Sequence, residues 1–147
     1  MAQSFSKIVM HLVFSTKDRR PWLAEDIQRP LWGYLAGAIK NLGGHPIQIG
    51  GAADHVHILF ELPRQVSVAE WVRDAKVESS KWMKEDVPTF AWQSGYSVFS
   101  VSASNQPSVE KYIASQASRH ASQSFQEEFL ALLERHGIQY DERYVWA

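Results

Sequence analysis

Hydrophobic positions along the chain follow two spacings, one typical of strands and one typical of amphipathic helices. Apolar residues that alternate with polar ones, or that run together between turn residues, predict strands over residues 5–14, 46–51, 54–62 and 96–102. Apolar residues three and four apart predict helices over residues 24–42, 67–82, 107–120 and 124–136. The predicted order is therefore strand, helix, strand, strand, helix, strand, and then two helices.

Residues with strong positional preferences set several helix boundaries. Ser67 with Glu70, and Ser124 with Glu127, have the spacing of a capping box, in which each side chain satisfies a backbone N–H near the helix start. Pro30 falls inside the first predicted helix and cannot donate a backbone hydrogen bond, so we expect that helix to start later than residue 24 or to kink.

The element order predicts an α+β fold of the ferredoxin-like, split β-α-β type. In this arrangement helices cover one face of an antiparallel sheet, and the two additional helices follow at the C-terminal end. A chain of 147 residues fits one domain, which we assign to residues 1–147. The other face of the sheet would be left open for a ligand or a second subunit.

Composition excludes several classes of protein. The chain has no cysteine, which excludes disulfides and thiolate metal sites and fits a reducing compartment. It has no signal-peptide pattern and no apolar run long enough to cross a membrane, so we expect a cytoplasmic protein without a membrane partner. The formal net charge is −1, whereas a dedicated duplex-DNA binder is usually strongly basic. The acidic side chains gather in a region expected to be a solvated face: Glu127, Glu128, Asp141 and Glu142.

Positive charge is concentrated locally even though the chain as a whole is nearly neutral. Lys17, Arg19 and Arg20 lie in one short turn, and Lys76 and Lys81 lie on the second predicted helix. These five side chains are candidate contacts to nucleic-acid phosphates. For each one taken separately, an ordinary solvated surface charge is the alternative interpretation.

His55 and His57 provide the first sign of chemistry. Side chains alternate across a strand, so these two histidines share one face, about 7 Å apart at the backbone. The residues on the opposite face are all apolar: Val56, Ile58, Phe60 and Leu62. Two imidazoles so placed can bind one divalent ion together with a third ligand, or they are a half-exposed pair on a sheet surface. The remaining histidines lack a paired spacing and are expected to be structural or solvated: His11, His45, His120 and His136.

Tyr112 and Gln116 provide the second sign, because residues four apart share a helical face. A tyrosine can attack a phosphodiester when a metal polarises the phosphate, and its phenolate is a good leaving group. A glutamine carbonyl oxygen can serve as a hard metal ligand. Taken alone, a partly buried tyrosine and a surface glutamine would give the same pattern.

The set His55-Val56-His57 followed by Tyr112-Ile113-Ala114-Ser115-Gln116 resembles the HUH single-tyrosine transposases of bacterial insertion sequences, a group that includes the REP-associated tyrosine transposases. Further stretches are similar to the same family: residues 11–17, Asp54, and residues 79–82, 92–96, 99–102, 124–128 and 141–144. The resemblance covers nearly the whole chain.

The resemblance implies a site and a reaction. His55, His57 and Gln116 would hold Mg²⁺ or Mn²⁺, and Tyr112 would attack the scissile phosphate and carry a 5′-phosphotyrosine. The substrate would be single-stranded DNA with hairpins near its ends. The protein would act as a homodimer, with active sites that can be shared between subunits.

Three other functions remain open at this stage. One is a relaxase-like or replication nicking enzyme with the same chemistry. Another is a non-catalytic or host-domesticated protein that binds DNA hairpins with the same fold. The third is a small metal-dependent phosphodiesterase that uses water, which would not need Tyr112.

Overall fold

The structure is a computed structural model that describes residues 2–120 and 122–147. It contains four strands and five α-helices within those residues, with a short 3-10 helix at Lys17–Arg19. The strands and α-helices are, in chain order, β1 (Val9–Ser15), α1 (Glu25–Asn41), β2 (His45–Gly51), β3 (His55–Glu61), α2 (Val68–Met83), β4 (Ser97–Ser100), α3 (Gln106–Ala114), α4 (Gln116–Arg119) and α5 (Phe125–Arg135).

The four strands form one antiparallel sheet in the order β2-β3-β1-β4. The two central strands, β1 and β3, are those that carry His11 and the histidine pair. In the register of the sheet, His57 lies opposite Val13 of β1 and opposite Gly50 of β2. This arrangement confirms the predicted α+β, split β-α-β fold.

One face of the sheet carries the main hydrophobic core, as the alternation in β3 predicts. Val56, Ile58 and Phe60 are fully buried there beside α1 and α2. Phe60 stacks on Trp71 of α2 with ring centroids 4.1 Å apart. Burying large apolar side chains stabilises the fold by about 1.5–3 kcal/mol each. This core therefore fixes β3, and with it the direction in which the histidines on the other face point.

The other face of the sheet is not open, which corrects the expectation from sequence. Val13 and Phe99 pack against α5, and Leu59 packs against Ile113 of α3. The sequence-based expectation treated the C-terminal helices as additions to a two-layer domain. Their apolar stripes instead need a partner, and the half-apolar second face of the sheet provides it.

Several element boundaries differ from the predicted ones for local reasons. β1 begins at Val9 rather than at Phe5, which is exposed. α1 begins at Glu25 and continues through Pro30 without interruption, because the proline lies near the helix start and removes only one hydrogen bond. The helix predicted over residues 107–120 is divided at Ser115 into α3 and α4.

The predicted helix starts at residues 67 and 124 are confirmed. The Ser67 hydroxyl accepts a hydrogen bond from the Glu70 backbone N–H at 3.2 Å, and Ser124 accepts one from the Glu127 backbone N–H at the same distance. These caps define where α2 and α5 begin. Across the described residues, no helix combines the length and the apolar character that crossing a bilayer requires.

Candidate metal centre

The two histidines of β3 lie in the interior of the protein. His55 and His57 are both fully buried, with ring centroids 5.1 Å apart. The pair is therefore not the half-exposed surface pair that was the alternative interpretation. Burying two imidazoles is costly unless each ring nitrogen has a partner, so their surroundings must supply polar groups.

Tyr112 and Gln116 reach the histidines from α3 and α4 of the same chain. The Gln116 Oε1 atom accepts a hydrogen bond from His55 Nε2 at 2.9 Å, and the Tyr112 ring lies 5.6 Å from the His57 ring. Gly50 allows this approach, because a Cβ atom there would stand 2.5 Å from the backbone oxygen of Ile113. The side chains that the sequence singled out thus converge within one subunit.

Glu128 of α5 lies at the centre of this group. Its Oε1 atom is 3.1 Å from His57 Nε2 and 3.4 Å from His55 Nε2. Its Oε2 atom accepts hydrogen bonds from the Tyr112 hydroxyl and, at 2.9 Å, from the Gln116 amide. The carboxylate therefore connects the histidines of the sheet with the tyrosine and glutamine of the helices.

Glu128 was expected on a solvated acidic face, and this expectation was wrong. It is 2% exposed, because it lies within the apolar stripe of α5 formed with Phe125, Phe129 and Leu132. The spacing of three from Phe125 and four to Leu132 places Glu128 on the inward face. The sequence contained this signal: a carboxylate on the apolar stripe of a capped helix requires a buried partner.

Two further residues fix the orientation of the histidine rings. Asp54 Oδ1 accepts a hydrogen bond from His55 Nδ1 at 2.8 Å, which leaves His55 Nε2 facing the centre. His11 Nε2 is 2.8 Å from His57 Nδ1, and His11 is buried. Partners of this kind set the tautomer and direction of metal-binding imidazoles.

His120 adds a third imidazole near Glu128. Its Nε2 atom donates a hydrogen bond to Glu128 Oε1 at 2.9 Å, and its ring lies 4.4 Å from that of His55. From their lack of paired spacing, His11 and His120 were expected to be structural or solvated, but both belong to this cluster. His45 is exposed, and His136 stacks on Phe99 with ring centroids 4.2 Å apart.

The protonation states follow from burial and from these hydrogen bonds. Burial alone would lower the pKa of His55, but hydrogen bonds to Asp54, Glu128 and Gln116 raise it to about 9. Burial lowers the pKa of His57 to about 4 despite its bond to Glu128. At neutral pH, without a metal, His55 is therefore an imidazolium and His57 is neutral.

The pKa values of the Glu128 carboxyl group and the Tyr112 hydroxyl shift in opposite directions. Burial would raise the pKa of Glu128, but hydrogen bonds from His55 and His57 hold it well below its usual range, so Glu128 is ionised. Burial and the bond to Glu128 raise the pKa of Tyr112 above its usual range. Tyr112 therefore keeps its proton, and its hydroxyl donates a hydrogen bond to the Glu128 carboxylate.

The donor atoms fit a divalent cation. His55, His57 and Glu128 offer ligand atoms that lie within 4.8 Å of one another, and these three buried side chains could hold a metal ion. In an octahedral shell with ligands about 2.1 Å from the ion, adjacent ligand atoms are about 3 Å apart. His55 Nε2 lies 2.9 Å from Gln116 Oε1, and His57 Nε2 lies 3.1 Å from Glu128 Oε1. Both distances match the spacing of adjacent ligand atoms in such a shell.

None of the five residues predicted to contact phosphates is a hydrogen-bond or ion-pair partner of this cluster in the described part of the chain. Lys17 and Arg20 are exposed around the short 3-10 helix, and the guanidinium of Arg19 lies over the Trp146 ring at 5.3 Å. Lys81 is exposed and lies 3.7 Å from Glu78. The fifth of them, Lys76, is placed differently.

Lys76 is half-buried and already bonded within the protein. Its ammonium donates hydrogen bonds to the backbone oxygens of Gln93 and Gly95 at 2.8 Å and 2.7 Å. Burial lowers the pKa of Lys76 to about 8. This side chain holds the segment before β4 in place.

Comparison with known proteins agrees with the fold. The family described as "Transposase IS200 like" matches residues 4–116. The ISDra2 transposase TnpA of Deinococcus radiodurans is 25% identical over 114 residues, which cover 72% of this chain and 81% of that protein.

Two solved structures are similar. A transposase candidate from Deinococcus radiodurans R1 has a TM-score of 0.64 at 22% identity, covering 79% of this chain and 95% of that one. A REP-associated tyrosine transposase bound to a REP hairpin has a TM-score of 0.60 at 14% identity, covering 82% and 73%. Because both identities are below 25%, these two similarities show a shared fold and nothing further.

The family match includes the histidine pair, Tyr112 and Gln116, and it ends at Gln116, before α5 and Glu128. The matched residues make up most of the chain and contain every element of the sheet. The chain therefore belongs to the IS200-like transposase family.

Proposed function

We propose that this protein is a metal-dependent transposase that cuts and rejoins single-stranded DNA through a 5′-phosphotyrosine on Tyr112. The observation that carries the proposal is the convergence of Tyr112 with His55, His57 and Gln116 around one buried carboxylate. A tyrosine held beside a cluster of metal-binding groups is the arrangement that nucleophilic attack on a phosphodiester requires.

His55, His57 and Gln116 would hold the ion, and Glu128 would be a fourth protein ligand. Mg²⁺ or Mn²⁺ fits a set that includes two oxygens and leaves positions for phosphate oxygens. Such an ion would neutralise charge on the scissile phosphate. Asp54 and His11 would keep the two imidazoles pointing inward.

The protein's own groups account for the covalent steps. The Tyr112 oxygen attacks the phosphorus, and the bond from phosphorus to the 3′-oxygen of the neighbouring nucleotide breaks. Glu128 accepts the hydrogen bond from the Tyr112 hydroxyl and so orients the attacking oxygen. Because the lowered pKa of Glu128 makes it a weak base, water takes up the Tyr112 proton, and water supplies a proton to the departing 3′-oxygen. In the second step a DNA 3′-hydroxyl attacks the phosphotyrosine and loses its proton to water, a phosphodiester forms, and the released Tyr112 oxygen takes up a proton.

The substrate and assembly belong to the same proposal. A homologous fold has been solved with a REP hairpin, which supports single-stranded DNA with hairpin ends as the ligand. The protein would be one domain over residues 1–147 and would work in the cytoplasm as a homodimer. Since Tyr112 and Gln116 meet the histidines of their own chain, each subunit would hold a complete site. Light scattering of the purified protein measures the dimer directly.

The test is a denaturing gel of the protein incubated with labelled single strands that carry a hairpin stem and randomised flanks. With Mg²⁺ or Mn²⁺ we expect a covalent protein–DNA adduct that disappears with EDTA and with Tyr112→Phe. Tyr144→Phe, at an exposed tyrosine, should form the adduct normally.

Other outcomes would favour the other functions. Cleavage that survives Tyr112→Phe but not His55→Ala would indicate a phosphodiesterase that uses water. Hairpin binding without an adduct in the parent protein would indicate a non-catalytic DNA-binding module. Adducts without rejoined strands would indicate a nicking enzyme.

A further inference from the structure

A groove of about 560 Å³ opens beside Tyr112, on the side of the protein formed by β4, α3, α4 and the end of α5. We call it the Tyr112 groove. Its lining includes Lys111, Tyr112, Ser115, Arg119, Arg135 and His136. The groove thus leads from solvent to the side chain proposed as the nucleophile.

The lining of the groove is positive. Lys111, Arg119 and Arg135 are exposed, and none of the described residues that line the groove is acidic. Within the described part of the chain, none of these three cations lies within 4 Å of a carboxylate oxygen. Three cations without an acidic partner, on a protein whose net charge is −1, make this groove a local site for an anion.

Arg119 gives the positive charge a direct relation to the nucleophile. Its guanidinium carbon lies 4.4 Å from the centroid of the Tyr112 ring. A guanidinium stacked on a ring still presents planar N–H donors at its edge, and these match the oxygens of a phosphate. A phosphate bound by Arg119 would therefore lie next to the Tyr112 side chain.

Arg135 adds a third cation to the groove. It is the last residue of α5 and lines the groove together with Lys111 and Arg119. The neighbouring His136 donates from Nδ1 to the backbone oxygen of Leu132 at 2.9 Å, so it is not counted among the phosphate donors. Three separate cationic side chains suit a chain of phosphates better than a single small anion.

We propose that the Tyr112 groove binds the sugar-phosphate backbone of the single strand that enters the active site, with Arg119 on the phosphate next to Tyr112 and Lys111 and Arg135 on flanking phosphates. The inference rests on the proposed function, because it gives the path of that reaction's substrate.

The test measures equilibrium binding in a protein that cannot react. Fluorescence anisotropy follows a fluorescein-labelled, mixed-sequence single strand added to the Tyr112→Phe protein in EDTA, at several salt concentrations. Arg119→Gln and Arg135→Gln should each weaken binding about five- to tenfold. Each should also make the slope of log binding constant against log salt concentration shallower by about 0.7 per lost phosphate contact. Arg29→Gln is the matched control, because Arg29 is exposed on α1, on the opposite face of the sheet.

The outcomes separate this inference from the proposed function. If Arg119→Gln and Arg135→Gln bind the strand as tightly as the control does, or if the Tyr112→Phe protein does not bind it, the groove assignment is overturned whether or not the parent forms an adduct. If both substitutions weaken binding while the parent forms no adduct, the groove assignment holds and the transesterase assignment fails. A melting temperature unchanged by either substitution excludes general unfolding as the cause.

Discussion

Replacing Glu128 by glutamine tests the metal centre most directly. The substitution keeps the length and shape of the side chain but removes the charge of the only carboxylate among the proposed ligands. Glu128 Oε1 lies close to three imidazole Nε2 atoms, at 2.9, 3.1 and 3.4 Å, and they belong to His120, His57 and His55. Even partners that only orient metal ligands are worth 10–100-fold in affinity, so loss of a charged ligand should weaken Mn²⁺ binding by about 100-fold.

The size of the thermal effect follows from this ratio. At a Mn²⁺ concentration about 100 times the Kd, binding stabilises the parent protein by about 2.7 kcal/mol. For a domain of this length, 1 kcal/mol corresponds to about 3 °C, so the parent Tm should rise by about 8 °C. In Glu128→Gln the same concentration would only equal the Kd. It would contribute about 0.4 kcal/mol, or about 1 °C.

The assay is differential scanning fluorimetry of each protein with EDTA and with Mn²⁺. The metal-induced shift is the quantity to compare, because Glu128→Gln also removes ionic hydrogen bonds and lowers the Tm of the metal-free protein. Glu134→Gln makes the same chemical change at an exposed position of α5 and should keep the full shift. A Glu128→Gln protein that also keeps the full shift would refute the role of Glu128 as a ligand.

Three further predictions concern the surroundings of the site. The pKa of His55 is about 9 without metal, so binding of Mn²⁺ to its Nε2 atom must release a proton. Mn²⁺ affinity measured by calorimetry should therefore rise about tenfold per pH unit from pH 6 to 8 and level off near pH 9. Gly50→Ala should lower stability by about 1–3 kcal/mol in urea unfolding and reduce adduct formation, because its Cβ would push the Ile113 backbone away. His11→Leu should weaken Mn²⁺ binding by about 10–100-fold, since His57 Nδ1 loses its partner.

Each of these has a matched control and an opposing result. Mn²⁺ affinity that does not change with pH would mean that His55 binds without losing a proton. Gly33→Ala meets no atom within 4 Å and should leave stability unchanged or slightly raised, so equal losses at both glycines would contradict the steric argument. His45→Leu, at an exposed histidine, should bind Mn²⁺ normally, and a His11→Leu protein that does so too would show that His11 does not support the site.

The fold could be predicted from sequence because its determinants are local. The alternation in β3 separated Val56, Ile58 and Phe60 from the histidines, and the structure places those three in the main core. The capping serines at 67 and 124 marked helix starts that the structure confirms. Periodicity and caps involve residues a few positions apart, so one sequence is enough to read them.

The site residues that could not be predicted from the sequence depend on contacts between distant parts of the chain. His11 faces the histidine pair only because β1 pairs with β3 in a register that sets Val13 opposite His57. The sequence of β1 alone does not predict that register. Glu128 had a local signal, its place on the apolar stripe of α5, but its partners are 71 residues away in β3 and 16 away in α3. The sequence analysis grouped Glu128 with neighbouring acidic residues on a solvated face and so did not use that signal.

The charges of the cluster explain how one carboxylate can stay buried with and without a metal. In the metal-free protein, the imidazolium of His55 balances the charge of Glu128, and removing either partner of such a buried pair costs about 3–5 kcal/mol. Uptake of a divalent cation with release of the His55 proton replaces one positive charge by two. The Glu128 carboxylate therefore has a positive partner in both states, and the cluster becomes more positive by one unit when the ion is bound. That added charge lies beside Tyr112 and the cationic groove, where a phosphate would be bound.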